Sequence, residues 1–94
     1  MTVHEVIAAY RGALESAGVT PRDTAAVLGF SAATQYRIMA GSQATSPQAV
    51  SLMQMATKFL RWAEKSGSLT GSPECASDRA TRLAKAYKTW LEQD

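Results

Sequence analysis

TPRDTAAVLGFSAATQYRIMAG, residues 20–41, divides into two short helical runs around a single glycine. Thr20 is a residue type that caps a helix with its side-chain oxygen, and Pro21 follows at the first helical position, where a missing N–H costs nothing. Asp23 lies in the first turn, at the positive end of the helix dipole. Gly29 closes this run because a residue without a Cβ enters the left-handed region without strain. Ser31 then caps a second run that reaches about Ala40 and stops at Gly41. Ala25 is small where the two runs would touch, and Ile38 supplies the apolar side chain that packs the second onto the first. The spacing of Ala25, Gly29 and Ile38 is that of a helix-turn-helix.

Outward from this centre, the punctuation predicts three more helices. The first covers about residues 3–17, with Thr2 and Glu5 spaced as a capping box and Gly18 at its end. Its apolar residues Val3, Val6, Ile7, Tyr10, Leu14 and Ala17 form one continuous face. Ser46 and Pro47 open a fourth helix that reaches about Lys65 and carries Ala49, Leu52, Met53, Ala56, Phe59, Leu60 and Ala63 on one side. Met55 and Trp62 widen that apolar surface beyond what a three-helix core covers, so either the last helix or a second subunit is expected to pack there. Residues 66–72, SGSLTGS, have the composition of a flexible connection. Ser72 and Pro73 repeat the helix-opening pair, and Ala76, Ala80, Leu83, Ala84, Tyr87 and Leu91 mark a fifth amphipathic helix ending near Glu92, with Trp90 on its border.

No solenoid-length repeat and no sustained strand alternation interrupts this pattern. The expectation is an all-α five-helix bundle with a helix-turn-helix core. Residues 1–66 form the helix-turn-helix domain, and residues 67–94 form a linker and an amphipathic helix. That helix packs on the core or builds a dimer contact through Met55, Trp62, Tyr87 and Trp90.

Composition narrows the function classes. The chain has 94 residues, 46% of them hydrophobic and 19% charged, which fits one small globular unit. It has no apolar run of about 18 residues and no basic-then-apolar leader, so no membrane span or secretory signal is expected and the default compartment is the cytoplasm. A single cysteine, Cys75, precludes an internal disulfide and a multi-cysteine metal site; it reads as an ordinary helix residue. His4 is the sole histidine and lies in the first turn of the first helix. No general base stands near a nucleophile, and no ligand pair has metal-binding spacing, so neither catalysis nor a cofactor nor a metal is expected.

Residues 3 to about 63, two thirds of the chain, resemble the phage-repressor and Cro-type helix-turn-helix proteins, the XRE family, on Ala25, Gly29, Ser31, Ile38 and Gly41 and on the Ser46-Pro47 entry to the next helix. The resemblance implies a lambda-repressor-like core and a cytoplasmic, sequence-specific DNA-binding regulator, a repressor by expectation, acting as a homodimer of phage, plasmid or bacterial origin. Carried over to this chain, the groove-facing residues of the recognition helix are Ser31, Ala32, Ala33, Thr34, Tyr36 and Arg37. Arg37 suits a guanine edge and the two alanines suit a thymine methyl, while Ser31, Thr34, Ser42, Arg22 and the backbone amides at the helix starts suit phosphates.

The chain departs from the family pattern at three positions. Pro21 replaces a phosphate-anchoring glutamine, and Thr24 and Gln35 stand where the family has large aliphatic core residues. A buried, unpartnered Gln35 amide would cost on the order of 1–3 kcal/mol, so Gln35 is expected to be hydrogen-bonded or displaced toward solvent. Charge also runs against DNA: the chain carries a net +2, and residues 20–46 hold just Arg22 and Arg37 against Asp23. The row Arg79, Arg82, Lys85 and Lys88 winds around the last helix and reads as a solvated face. These features carry the alternative of a small phage-encoded or antitoxin-like protein whose helix-turn-helix scaffold binds a protein partner.

Overall fold

A computed structural model describes residues 2–69 and 76–93. It is all-α: α1 (Val3–Ala17), α2 (Pro21–Leu28), α3 (Ala32–Met39), α4 (Pro47–Lys65) and α5 (Ala76–Leu91), with no strand among the described residues. The Ser72-Pro73 helix opening, Cys75 and the Ala76 side chain lie outside what is described.

Helix starts follow local chemistry. Thr20 Oγ1 accepts the Asp23 N–H at 3.3 Å while Asp23 Oδ2 accepts the Thr20 N–H at 3.0 Å, so the reciprocal capping box forms at α2 and not, as the Thr2–Glu5 spacing suggests, at α1. At α1, Thr2 Oγ1 accepts the Glu5 N–H at 3.2 Å, but the Thr2 hydroxyl, not its backbone N–H, meets the Glu5 carboxylate. Ser31 and Ser46 cap α3 and α4 in the same one-sided way.

Between α2 and α3 the chain turns within three residues. Gly29 holds φ 74° and ψ 14°, and its N–H closes α2 on the Ala25 carbonyl at 3.1 Å. A Cβ built there meets nothing within 4 Å, so backbone strain alone opposes a side chain. Gly29→Ala is expected to cost about 1–2 kcal/mol in urea unfolding, the left-handed penalty with no steric surcharge. A loss well above that range would mean that the turn is packed more tightly than this geometry.

The core gathers Val6, Tyr10 and Leu14 of α1, Ile38 of α3, Met53, Phe59 and Leu60 of α4 and Leu83 of α5, closed by Val19 and Phe30 from the connections. Each large apolar side chain buried this way contributes about 1.5–3 kcal/mol. α1 lies along α4, α2 on α3, and α5 across both α2 and α4. Two expected faces are corrected. Val3 is 44% exposed, on the first turn of α1 ahead of the first core residue Val6, and Ala13 is buried in its stead. On α5, Ala84 and Leu91 face solvent, whereas Leu83 and Ala86 are buried and Tyr87 and Trp90 are half-buried. The two rings and Leu83 carry far more apolar area than an alanine, and they set the roll of the helix.

Phe59, fully buried, is the hub of that contact. Its ring centroid lies 5.1 Å from Tyr87, edge-on, 5.5 Å from Trp90 and 6.5 Å from Trp62, and the Tyr87 hydroxyl reaches Met55 Sδ at 4.0 Å. Met55, Trp62, Tyr87 and Trp90, read from the sequence as candidates for a subunit contact, thus find cover within one chain. The described part of the SGSLTGS stretch, residues 66–69, is wound onto the end of α4. Ser68 donates its N–H to the Ala63 carbonyl at 3.0 Å, and Leu69 packs on the core.

Candidate nucleic-acid interface

α3 presents two unlike faces. Gln35 and Ile38, three residues apart, are its buried side chains, at 0% and 3% exposure. Ser31, Ala33, Tyr36 and Arg37 are exposed, and Ala32 and Thr34 are half-exposed. All six residues expected to face a groove therefore lie on the accessible surface, and α5 packs on α2 and α4.

Beneath that face, Thr24 and Gln35, the two polar residues at expected core positions, meet the Tyr10 hydroxyl. Tyr10, Thr24 and Gln35 are each fully buried. The Tyr10 hydroxyl donates to Gln35 Oε1 and lies 2.9 Å from Thr24 Oγ1. Gln35 Nε2 donates to the Phe30 carbonyl at 2.7 Å and reaches Thr24 Oγ1 at 3.0 Å and the Pro21 carbonyl at 3.2 Å. Thr24 Oγ1 in turn donates to the Pro21 carbonyl at 3.0 Å. Of the two outcomes expected for Gln35, hydrogen bonding is the one realised. Pro21, which lacks a side-chain amide and an N–H, contributes its carbonyl to this knot.

Burial pushes the Tyr10 hydroxyl up to about 12, against a smaller opposing effect of its bond to Thr24. A phenol whose folded value exceeds its unfolded value of about 10 keeps its proton in the folded state while the unfolded chain loses it, so stability is full below pH 10 and falls as pH rises toward 12. Two units amount to about 3 kcal/mol. Urea unfolding at pH 9 and 11.5 should show about 2 kcal/mol of that loss, since 11.5 stops short of the folded value, and Tyr10→Phe should remove most of the pH dependence; an equal slope in both proteins would refute the assignment.

Arg37 is oriented by a residue that sequence reading passed over. Its Nε donates to Gln43 Oε1 at 2.8 Å, and its two terminal nitrogens make no hydrogen bond among the described residues. Gln43 is brought near by the helix stop: Gly41, at φ 78°, lets the Gly41 N–H reach Ile38 O at 3.1 Å and the Ser42 N–H reach Arg37 O at 2.9 Å. Ser42, exposed, also spends its hydroxyl on the Arg37 carbonyl at 3.2 Å, so as it stands it closes α3 rather than offering that proton to a phosphate. Ser31 accepts the Thr34 N–H at 3.4 Å, which leaves its own proton available for donation.

The charge around α3 differs from the linear count. Asp23 is 3% exposed, bound to its own helix cap and paired with Arg79 Nε at 3.2 Å, so α5 withdraws the acid of the motif from the surface. Arg22 and Arg37 remain exposed, and exposed Arg11 on α1 joins them by donating Nη2 to the Met39 carbonyl at 2.9 Å, at the negative end of α3. Nothing in its sequence context marks Arg11. The expected solvated row on α5 is divided: Lys85 and Lys88 are exposed, whereas Arg79 and Arg82 are half-buried.

The described residues hold no group of three or more His, Cys, Asp or Glu placed to bind a metal, and no described helix is long and apolar enough to cross a membrane. No family model, curated protein or solved structure matches the chain.

Proposed function

We propose that the chain is a sequence-specific DNA-binding regulator that lays the exposed face of α3 in the major groove. The observation that carries this reading is the division of α3: an inner face tied down by Gln35 and Ile38, and an outer face of small residues, one aromatic and one arginine with two uncommitted nitrogens. A helix end with so little bulk enters a groove about 12 Å wide without clash, and the terminal nitrogens of Arg37 match the N7 and O6 of guanine. Arg22, Ser31 and Thr34 lie beside it as phosphate contacts, with Arg11 as an added cation. Two copies on half-sites one helical turn apart would double a modest electrostatic contribution.

Two substitutions test the roles. Arg37→Ala should remove discrimination at one base pair, about 1–3 kcal/mol, or roughly 5- to 150-fold in relative affinity. Arg22→Ala should weaken binding to all duplexes about equally and reduce the salt slope by about 1. Fluorescence anisotropy on duplexes selected from a randomised pool reads both. Equal loss of selectivity in the two variants would refute the division of labour.

One observation favours the second reading, a protein partner on the same scaffold. A groove of about 440 Å³ between Leu14, Val19, Pro21, Tyr36 and Met39 borders the exposed end of α3, rimmed by Arg11 and Glu15. A folded protein that binds no duplex at low salt would transfer the proposal to this groove.

A further inference from the structure

Two buried side chains, Gln35 and Ile38, anchor α3 in the core, and Arg11 holds its exposed end through the Met39 carbonyl. An apolar contact such as that of Ile38 is nearly indifferent to direction, so it holds α3 near the core without defining its tilt or roll. Hydrogen bonds do discriminate by angle, and they weaken steeply away from linearity. Gln35 shares such bonds with four groups at once: it accepts from the Tyr10 hydroxyl on α1 and directs its amide N–H groups at Thr24 and the Pro21 carbonyl on α2 and at the Phe30 carbonyl of the turn. The three polar side chains are all inaccessible to solvent, so water does not compete for these bonds. Tyr36 and Arg37, the largest exposed side chains of α3, follow Gln35 directly in the chain, and any rotation about the knot carries them with it.

We infer that Tyr10, Thr24 and Gln35 are positioning residues: their buried hydrogen-bonded knot sets the angle of α3 against α1 and α2, and through that angle selects the base pairs that Arg37 and its neighbours reach. The statement about base pairs rests on the DNA reading; the statement about the helix angle does not.

The test uses the full chain and the variant Tyr10→Phe/Thr24→Val/Gln35→Leu, which replaces every side chain of the knot by an apolar one of similar size. Two readouts are taken. Residual dipolar couplings of backbone amides report the orientation of α3 relative to α1 and α2. The ratio of affinities for a duplex selected by the unaltered protein and for a shuffled duplex reports base choice. In the triple variant the α3 couplings should shift or broaden while those of α1 and α4 keep their mutual orientation. The affinity ratio should fall by about tenfold or more, with shuffled-duplex binding nearly unchanged. Unchanged α3 couplings in the folded variant overturn the inference, and a ratio that survives a changed angle overturns its base-pair half. If the triple variant does not fold, single Tyr10→Phe, which removes just the hydroxyl, decides on the same two readings. If the unaltered protein selects no duplex, the DNA reading fails and the couplings alone decide the positioning role.

Discussion

Truncating Gln35 to alanine is expected to destabilise the protein by about 3–5 kcal/mol, a large share of the roughly 5–15 kcal/mol that holds a domain together. The loss combines two effects. A fully buried side chain disappears and leaves a void, and the Tyr10 hydroxyl and the Phe30 carbonyl lose the partner that the Gln35 amide supplied. Each buried polar group left unpaired costs about 1–3 kcal/mol. Gln35→Leu fills most of the void but leaves the Phe30 carbonyl without its donor, while the Tyr10 hydroxyl keeps Thr24, so it should cost less than alanine and still more than about 1 kcal/mol. Urea unfolding of the two variants separates packing from hydrogen bonding; an alanine variant within 1 kcal/mol of the parent would show that the knot contributes little.

Phe59→Ala carries a comparable effect at the other end of the molecule. The side chain is fully buried and touches Trp62 on its own helix and Tyr87 and Trp90 on α5, so its removal opens a cavity at the joint between α4 and α5. Large-to-small substitution of a buried phenylalanine costs about 3–5 kcal/mol. Tryptophan fluorescence should report loosening of α5 before global unfolding, because Trp62 and Trp90 both flank the missing ring. Leu91→Ala, on the same helix but 59% exposed, should stay within about 0.5 kcal/mol of the parent. If Phe59→Ala leaves stability unaltered and changes the sedimentation mass instead, the aromatic cluster serves a subunit contact rather than the seat of α5.

The features legible in the sequence are those whose physical cause is local. Thr20, Pro21, Gly29, Ser31, Ser46 and Pro47 each act through a cap, a fixed φ or a missing Cβ within a few residues, and each stands where its chemistry required. The buried face of α4 was legible for a related reason, because large side chains at helical spacing leave one solution. Less legible was anything decided by a distant partner. Tyr10 reads as one more apolar residue of α1, yet its hydroxyl meets residues 14 and 25 positions away. Asp23 reads as a helix-dipole anion, yet it pairs with Arg79 across 56 positions. The roll of α5 was missed because alanines satisfy the periodicity of a face without supplying the area that fixes it. Arg11 and Gln43 reach α3 through backbone and side-chain geometry that no spacing rule encodes.

Backbone amide chemical shifts followed while a short duplex is added at low salt map, residue by residue, whether DNA lies against α3. Docking of α3 in a groove shifts Arg11, Arg22 and residues 31–37 of the turn and α3, with the outward face of α4 and the end of α5 silent. Shifts centred on the groove beside Leu14 and Met39, or none at all from a folded protein, would contradict it.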